Sequence, residues 1–158
     1  MAKLKIITEG NSTLRKKALP IAGLDKKTEK LAADMMETMS KENGIGLAAP
    51  QVGQSRRMIC VKAKEGNLVF INPMILKKSW RKNTAEEGCL SVPGIFGLVK
   101  RHNNIMLQAQ SLDKETIKFK AKGLMARVIQ HEIDHLEGIL FTDKIEKKQS
   151  GKKDARKI

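Results

Sequence analysis

Residues 122–138, KGLMARVIQHEIDHLEG, have the apolar periodicity of a long helix, and ionisable residues continue its apolar stripes. One stripe ends in His131 and His135, and a neighbouring stripe contains Glu132. Burying two imidazoles and a carboxylate costs free energy unless a metal ion or another partner compensates. The H-E-x-x-H spacing places both histidines on one helical face, where they can bind one metal ion. The sequence therefore predicts a buried helix with a metal site; the alternative is two hydrogen-bonded core histidines and a glutamate in an ion pair.

A third protein ligand is needed, because catalytic metal sites usually have three protein ligands and one open position. Cys60 lies in the apolar segment MICV, where a free cysteine usually behaves as a small hydrophobe. His102 follows two basic residues at an expected strand end and can be solvated there. Cys89 lies in EGCLS, a glycine-flanked segment that can approach a helix closely. The predicted ligands are therefore Cys89, His131 and His135, with water in the fourth position.

The remaining pattern predicts one further long helix and two antiparallel hairpins. Residues 23–44 have a helical apolar face, with Asp25 as the N-terminal cap and Asn43-Gly44 at the end. Residues 57–76 predict two strands around a turn at 65–67, and NIMLQAQ and TIKFKA predict a second pair. The segment EEGCLSVPGIFG, between the pairs, contains three glycines and a proline. Hairpins flanked by separate helices indicate an α+β fold.

Composition and charge limit the functional classes. The 158 residues suit one domain, with residues 1–148 as its body and 149–158 as a basic, flexible tail. The net charge of +14 favours polyanions such as a ribosome, although a solvated basic surface explains it equally well. No segment combines several aromatic residues with basic ones, as a base-stacking platform would. Two cysteines, no apolar N-terminal leader and no run of transmembrane length lead us to expect a cytoplasmic protein without membrane contact.

Three segments carry a family resemblance. GIGLAAPQ, EGCLS and QHEIDHLEG resemble, in the same order, the signature motifs of the peptide deformylases, and the resemblance extends from about residue 4 to residue 146. It implies antiparallel sheets around the helix that bears the metal. It also implies removal of the N-formyl group from formylmethionine at the start of nascent chains. The family is typically iron-dependent in the cell, and thiolate and imidazole ligands also suit Zn, Ni or Co, so we expect one divalent ion per chain.

The chemistry and the resemblance assign roles to individual residues. Glu132, beside His131 on the helix, can take a proton from water and pass it to the leaving amine. By resemblance, the Gln51 side chain and the Leu90 backbone N–H stabilise the oxyanion. The resemblance also predicts that the backbone of the two glycine-containing segments pairs with the substrate peptide, at Ile45, Gly46 and Gly88. An apolar pocket for the methionine side chain is expected at Leu124 and Val128.

Two other functions use the same features. A zinc peptidase would share the H-E-x-x-H helix but would give no role to Cys89 or Gln51. A basic ribosome-binding or RNA-binding module with a structural metal would need a fourth ligand, and the sequence offers no evident one. Arg101 and Asp134 either form a pair that supports the metal site or are surface charges.

Overall fold

The fold is organised around the helix that bears H-E-x-x-H. A computed structural model describes residues 1–150, with side-chain surroundings described up to residue 146. The α-helices among these residues are α1 (Lys26–Lys41) and α2 (Gly123–Leu136). The described strands are β1 (Gly46–Ala48), β2 (Met58–Ala63), β3 (Gly66–Lys78), β4 (Lys82–Cys89), β5 (Val92–His102), β6 (Asn104–Gln110), β7 (Thr116–Lys122) and β8 (Ile145–Ser150).

The strands form two antiparallel sheets with α2 in contact with both. One sheet has the order β1-β2-β3-β6-β7, and the other has the order β4-β5-β8. Helix α2 packs against β1, β2, β6 and β7 of the first sheet and against β5 of the second. Its residues Val128 and Ile129 lie in the main apolar cluster with strand residues such as Ile59 and Leu107. The predicted α+β fold with antiparallel sheets around this helix is confirmed.

Helix α1 and the two predicted hairpins also form. The Asp25 carboxylate caps α1 by accepting a hydrogen bond of 2.8 Å from the Thr28 backbone N–H. The helix ends before Asn43, which has a positive φ of 55°, so the chain turns there as predicted. Met35 and Met39 of its apolar face pack against β1 and β2. The hairpins β2–β3 and β6–β7 occupy the positions that the alternating pattern predicts.

The sequence pattern does not predict the β4–β5 hairpin, because its segment contains glycines, which are uncommon inside strands. Here the glycines permit close packing. A Cβ atom on Gly88 would lie 2.6 Å from the Phe96 ring, and one on Gly97 would lie 2.6 Å from the Ile145 side chain. These contacts leave no room for a side chain, so glycine continues the strands instead of breaking them. Cys89 is the last residue of β4, just after a shift in the β4–β5 pairing register between Gly88 and Cys89.

The C-terminal region is described only in part. The backbone of β8 pairs with β5, so residues 149 and 150 belong to a strand. The rest of the predicted basic tail, 151–158, lies outside the described residues. Within the described part of the chain, neither helix is long and apolar enough to cross a membrane.

Candidate metal centre

The three predicted metal ligands lie together beneath the protein surface. Cys89 ends β4, and His131 and His135 project from one face of α2 with ring centroids 5.0 Å apart. One ligand atom from each residue lies within 4.8 Å of those of the other two. Cys89 Sγ is 3.3 Å from His135 Nε2. All three residues are buried, so the spacing on the helix and the end of β4 create one internal ligand cluster.

The rejected candidates lie elsewhere. Cys60 is fully buried in β2 within the apolar cluster under α1, and burial raises the pKa of its thiol. His102 ends β5, where its Nδ1 lies 2.6 Å from the Ser79 carbonyl oxygen. Neither residue belongs to the ligand cluster.

The imidazole of His131 is oriented by Glu87, a residue that the sequence reasoning missed. His131 Nδ1 lies 2.9 Å from Glu87 Oε2, whereas His131 Nε2 is buried without a hydrogen-bond partner among the described residues. A proton on Nδ1 that is donated to the carboxylate leaves the Nε2 lone pair available for a metal ion. This arrangement is typical of histidine ligands in metalloenzymes.

Glu87 is also the centre of a buried ionic network. Arg101 donates to both of its carboxylate oxygens at 2.9 and 3.0 Å, and Arg127 donates at 2.7 Å. Burial alone would raise the pKa of Glu87, but hydrogen bonds from His131 and Arg101 outweigh burial and hold that pKa well below its usual range. Arg101 also pairs with Asp134 at 2.5 Å, which makes this predicted pair part of the support of the site. The two-residue spacing of Glu87 and Cys89 on one strand is the pattern that would have indicated this role.

The surroundings of Cys89 favour a thiolate only when a cation is near. Burial and, to a smaller extent, the Glu132 charge raise the pKa of the Cys89 thiol to about 12. Backbone N–H groups of Ser91 and Val92 act in the opposite direction by donating to the sulfur. A metal ion compensates the burial cost, because thiolate ligands bind in the deprotonated form. Burial, reinforced by His131, lowers the pKa of His135 well below its usual range and keeps that ring neutral, as a ligand requires.

Glu132 lies beside the ligand cluster but outside it. Both carboxylate oxygens are buried without a partner among the described residues, and burial and then Glu87 raise the pKa well above its usual range. Gly46 provides the space for this side chain. A Cβ atom at position 46 would overlap with Glu132 Oε1 and would lie 2.8 Å from Val128 Cγ1. The carboxylate is therefore held at the site without an ion-pair partner, as suits a group that exchanges protons.

Gln51 is fixed so that its amide group points toward the cluster. It lies in a 3₁₀ turn, Ala49–Val52, and its Oε1 accepts the Ala48 backbone N–H at 2.8 Å. Because only the amide oxygen can accept that proton, the NH₂ group must point the other way. It lies 3.4 Å from Cys89 Sγ and 3.3 Å from Ser91 Oγ. Leu90, the other predicted oxyanion donor, follows Cys89 in the β4–β5 turn.

The predicted peptide-pairing segments form free sheet edges next to the cluster. Strand β1, which contains Gly46, is the edge of the larger sheet, and β4, which contains Gly88, is the edge of the smaller sheet. The Ile45 carbonyl accepts the Lys62 N–H at 2.9 Å, whereas no acceptor for the Ile45 N–H is present among the described residues. Two unpaired edges can accept an extended chain by backbone hydrogen bonding.

A groove of about 330 Å³ lies beside these edges, and Ile45 and Leu124 line it. Leu124 is 51% exposed, whereas Val128 is buried in the core cluster below. The lining also includes Glu86 and Arg127, so the groove is more polar than the expected methionine pocket.

The residues present fit a catalytic transition-metal site. One sulfur and two imidazole nitrogens suit Fe, Zn, Co or Ni, whereas Mg and Ca prefer oxygen ligands. Among the described residues, no fourth Cys, His, Asp or Glu ligand joins the cluster. Three protein ligands with one open position are characteristic of catalytic sites, and closed four-ligand sets are characteristic of structural ones.

Comparison with known proteins gives consistent results. The family model described as "Polypeptide deformylase" matches residues 3–151. A peptide deformylase from Dictyoglomus thermophilum is 50% identical over 135 residues, covering 85% of this chain and 88% of the relative. The crystal structure of a peptide deformylase from Thermotoga maritima superposes with a TM-score of 0.91 at 39% identity, covering 93% of this chain and 100% of that chain. A class I type b peptide deformylase from Acinetobacter baumannii, crystallised with Met-Ala-Ser bound, has a TM-score of 0.86 at 35% identity, covering 91% and 99%.

Proposed function

The chain belongs to the polypeptide deformylase family, and we propose that Cys89, His131 and His135 hold the metal ion that its reaction requires. That reaction is the removal of the N-terminal formyl group from formylmethionine of nascent polypeptides. The observation that carries the assignment is the buried Cys-His-His cluster with an unpartnered Glu132 beside it. A divalent ion in this cluster supplies Lewis acidity, which makes a water molecule nucleophilic near neutral pH.

Glu132 is the proposed proton shuttle. Its raised pKa favours a carboxylate that takes a proton from the attacking water and keeps it long enough to pass it to the leaving amine. Gly46 keeps the space around this carboxylate open, and the absence of a hydrogen-bond partner among the described residues leaves both oxygens free for this exchange.

Two donors are proposed to stabilise the oxyanion that forms when water attacks the formyl carbon. The Gln51 amide is preoriented because its oxygen is bound to the Ala48 N–H, so its NH₂ does not have to reorganise during the reaction. The Leu90 backbone N–H, next to the Cys89 ligand, is the second donor. Fixed donors of this kind stabilise the transition state more than the ground state.

The substrate is proposed to bind as a strand between β1 and β4. Ile45, Gly46 and Gly88 then supply backbone groups at the two free edges, and glycine allows the peptide to approach closely. The methionine side chain is proposed to enter the groove lined by Ile45 and Leu124. Val128, one helical turn after Leu124, is buried in the core cluster and does not line this groove. The Met-Ala-Ser complex of the Acinetobacter relative, with a deformylated product-like peptide, supports a site for short N-terminal peptides.

The finer assignments also rest on chemistry. We propose Fe(II) as the ion in the cell, with Zn, Ni or Co able to replace it, because all four accept thiolate and imidazole ligands. Formylated chains are made by ribosomes, so the proposed location is the cytoplasm and the proposed partners are nascent chains and the ribosome. The peptidase alternative is disfavoured because it leaves the buried Cys89 and the oriented Gln51 without a role. The RNA-binding module with a structural metal lacks a fourth ligand among the described residues.

The test combines activity with metal analysis on one anaerobically purified sample. Hydrolysis of formyl-Met-Ala, with no cleavage of Met-Ala-Ser, is the expected result, and the reverse preference would favour a peptidase. Cys89→Ala should lose both metal and activity, whereas Cys60→Ala, which alters the only other cysteine, should keep both and lose modest stability. Full metal occupancy in Cys89→Ala would contradict the ligand assignment.

A further inference from the structure

The single tryptophan of the chain is almost fully exposed. Trp80 lies in the turn between β3 and β4, and 91% of its surface is accessible. Burying an aromatic side chain is worth several kcal/mol, so a tryptophan left in water is unusual among large apolar residues. One exposed apolar residue needs no explanation by itself. Its surroundings make it notable.

The turn that carries Trp80 is fixed and not a flexible loop. The Ser79 backbone N–H donates to the Asn104 carbonyl at 2.9 Å, and the Ser79 hydroxyl donates to the Arg81 carbonyl at 2.8 Å. The Ser79 carbonyl lies 2.6 Å from His102 Nδ1. These bonds tie the turn to the β5–β6 connection, so the indole projects into solvent from a rigid base. Because the backbone of the turn is already fixed, a partner that covers the ring does not have to order that backbone.

Positive charge surrounds the ring. The turn and its flanks contain four exposed cations and no acid in the segment KKSWRK. Among the described residues none of the four forms an ion pair; they are Lys77, Lys78, Arg81 and Lys82. Two grooves on either side add exposed lysines to this surface: Lys120 lines one with Lys77, and Lys100 lines the other with Lys82. We call Trp80 and these six cations the Trp80 surface.

We propose that the Trp80 surface binds single-stranded RNA, with a base stacked on the indole and the flanking phosphates on the cations. Exposed aromatic rings within a cationic track are the two elements that sequence-tolerant recognition of single strands requires. An anionic membrane would also attract the charge, and Met74 and Leu76, which precede the ring on β3, are 50% and 41% exposed. The immediate sequence neighbours of the ring are the polar Ser79 and Arg81, which suits a stacked base better than insertion into lipid. The substrate of the enzyme emerges from the ribosome, a particle rich in RNA phosphate, which favours RNA as the partner.

The position of this surface leaves the reaction undisturbed. Strand β4 begins at Lys82, beside Trp80, and ends at Cys89, so the two ends lie about 23 Å apart at the usual rise per residue. RNA bound at the first end leaves the metal centre and the Gly88 end of β4 open to a peptide, and it stops short of the groove proposed for the methionine side chain, which begins at Asn83. Binding would therefore raise the local concentration of enzyme near its substrate without a change in chemistry.

Intrinsic fluorescence tests the proposal directly, because the chain contains one tryptophan and no tyrosine. Titration of the full chain with a short single-stranded RNA should quench Trp80 emission without a blue shift, since stacking places a base on the ring. Trp80→Ala should weaken RNA binding, measured with a labelled oligonucleotide, by roughly 5-fold to 100-fold. Unchanged affinity in Trp80→Ala would overturn the stacking contact.

Charge variants complete the test. Arg81→Glu/Lys82→Glu should weaken binding, and the slope of log affinity against log salt should decrease by about 0.7 for each lost phosphate contact. Lys26→Glu/Lys27→Glu, on α1, makes the same change in net charge away from the turn and should bind RNA normally. If both double variants lose the same RNA affinity, the Trp80 surface is not the binding site, and the overall net charge alone accounts for the binding. If anionic vesicles shift the Trp80 emission to the blue and RNA does not change it, the RNA proposal is wrong and the surface binds a membrane. Hydrolysis of a short formyl peptide should remain normal in every variant.

Discussion

Replacement of Glu87 by glutamine tests whether the buried network positions the metal centre. The substitution keeps the size of the side chain but removes its charge. The carboxylate accepts hydrogen bonds from Arg101 and Arg127 and lies 2.9 Å from His131 Nδ1. An amide has one oxygen for these donors, and its NH₂ group would face another donor. Arg127 would then lose its carboxylate partner among the described residues, and Arg101 would keep only Asp134 as a counter-charge.

The expected loss follows from the burial of this network. Glu87 is fully buried, and Arg101 and Arg127 are about 5% exposed. Removing one partner of a buried ion pair costs about 3–5 kcal/mol in the free energy of unfolding. For a domain of this size each kcal/mol lowers the melting temperature by about 2–4 °C, so we expect a decrease of roughly 6–20 °C. Loss of the group that orients a histidine ligand should also weaken metal binding by about 10-fold to 100-fold.

Thermal unfolding and metal competition with a chelator measure the two effects separately. The matched control is Glu86→Gln, because Glu86 is the next residue on β4 and has no ion-pair partner among the described residues. It should unfold and bind metal nearly as the wild type does. A Glu87→Gln variant with a normal melting temperature would refute the energetic argument. A destabilised variant with unchanged metal affinity would show that Glu87 is structural and does not position His131.

Three further predictions address other parts of the molecule. Glu132→Ala should retain one metal ion per chain by metal analysis yet lose more than the ~10²–10⁴ in rate that is typical of general acid–base catalysis; activity close to wild type would refute the shuttle. Gln51→Leu should lower kcat, at a cost of about 3–4 kcal/mol in the barrier, and a raised KM with unchanged kcat would indicate simple substrate binding instead. The hydrogen bond from Arg15 holds the pKa of Asp143 in the folded state below its usual range. The ionised Asp143 therefore contributes fully to the free energy of unfolding above the ordinary pKa of about 3.9, and this contribution is lost as the pH falls through the lower folded-state pKa. Asp143→Asn should therefore melt at a lower temperature than wild type at neutral pH, and a difference that persists in strong acid would contradict this origin.

The clustering of the two histidines could be predicted from the sequence because helical periodicity places both of them. The i, i+4 spacing of His131 and His135 determines that both rings share a face, and the apolar neighbours on the same stripes determine that the face is buried. Cys89 followed from the exclusion of Cys60, whose apolar strand needs no metal. These arguments use short-range geometry, which a sequence specifies well.

The support of the site could not be predicted in the same way. Glu87 is paired with Arg101, which is 14 residues away, and with Arg127, which is 40 residues away. Such pairs depend on how strands and helix pack, and each residue by itself is typical of a solvated surface. Two polar residues of α2, Arg127 and Gln130, illustrate this: both are buried, because the Glu87 carboxylate and backbone carbonyl groups accept their hydrogen bonds. The same limit applies to the β4–β5 hairpin. Gly88 is needed there because the Phe96 ring packs against it, and not because the chain turns at that residue.

The open sheet edges beside the metal centre connect the fold to its function. An unpaired edge invites association with another chain, and natural proteins usually shorten or charge such strands. Both protections are present: β1 has only three residues, and β4 begins with Lys82 and carries Glu86. Neither device blocks the backbone at Ile45, which precedes β1, or at Gly88, which precedes the Cys89 ligand. The edges are therefore too short or too charged to pair stably with another sheet, yet a short extended peptide can still pair there. If the proposed pairing holds, the same short edges that disfavour aggregation partners would accept a nascent N-terminus, which arrives as an extended chain.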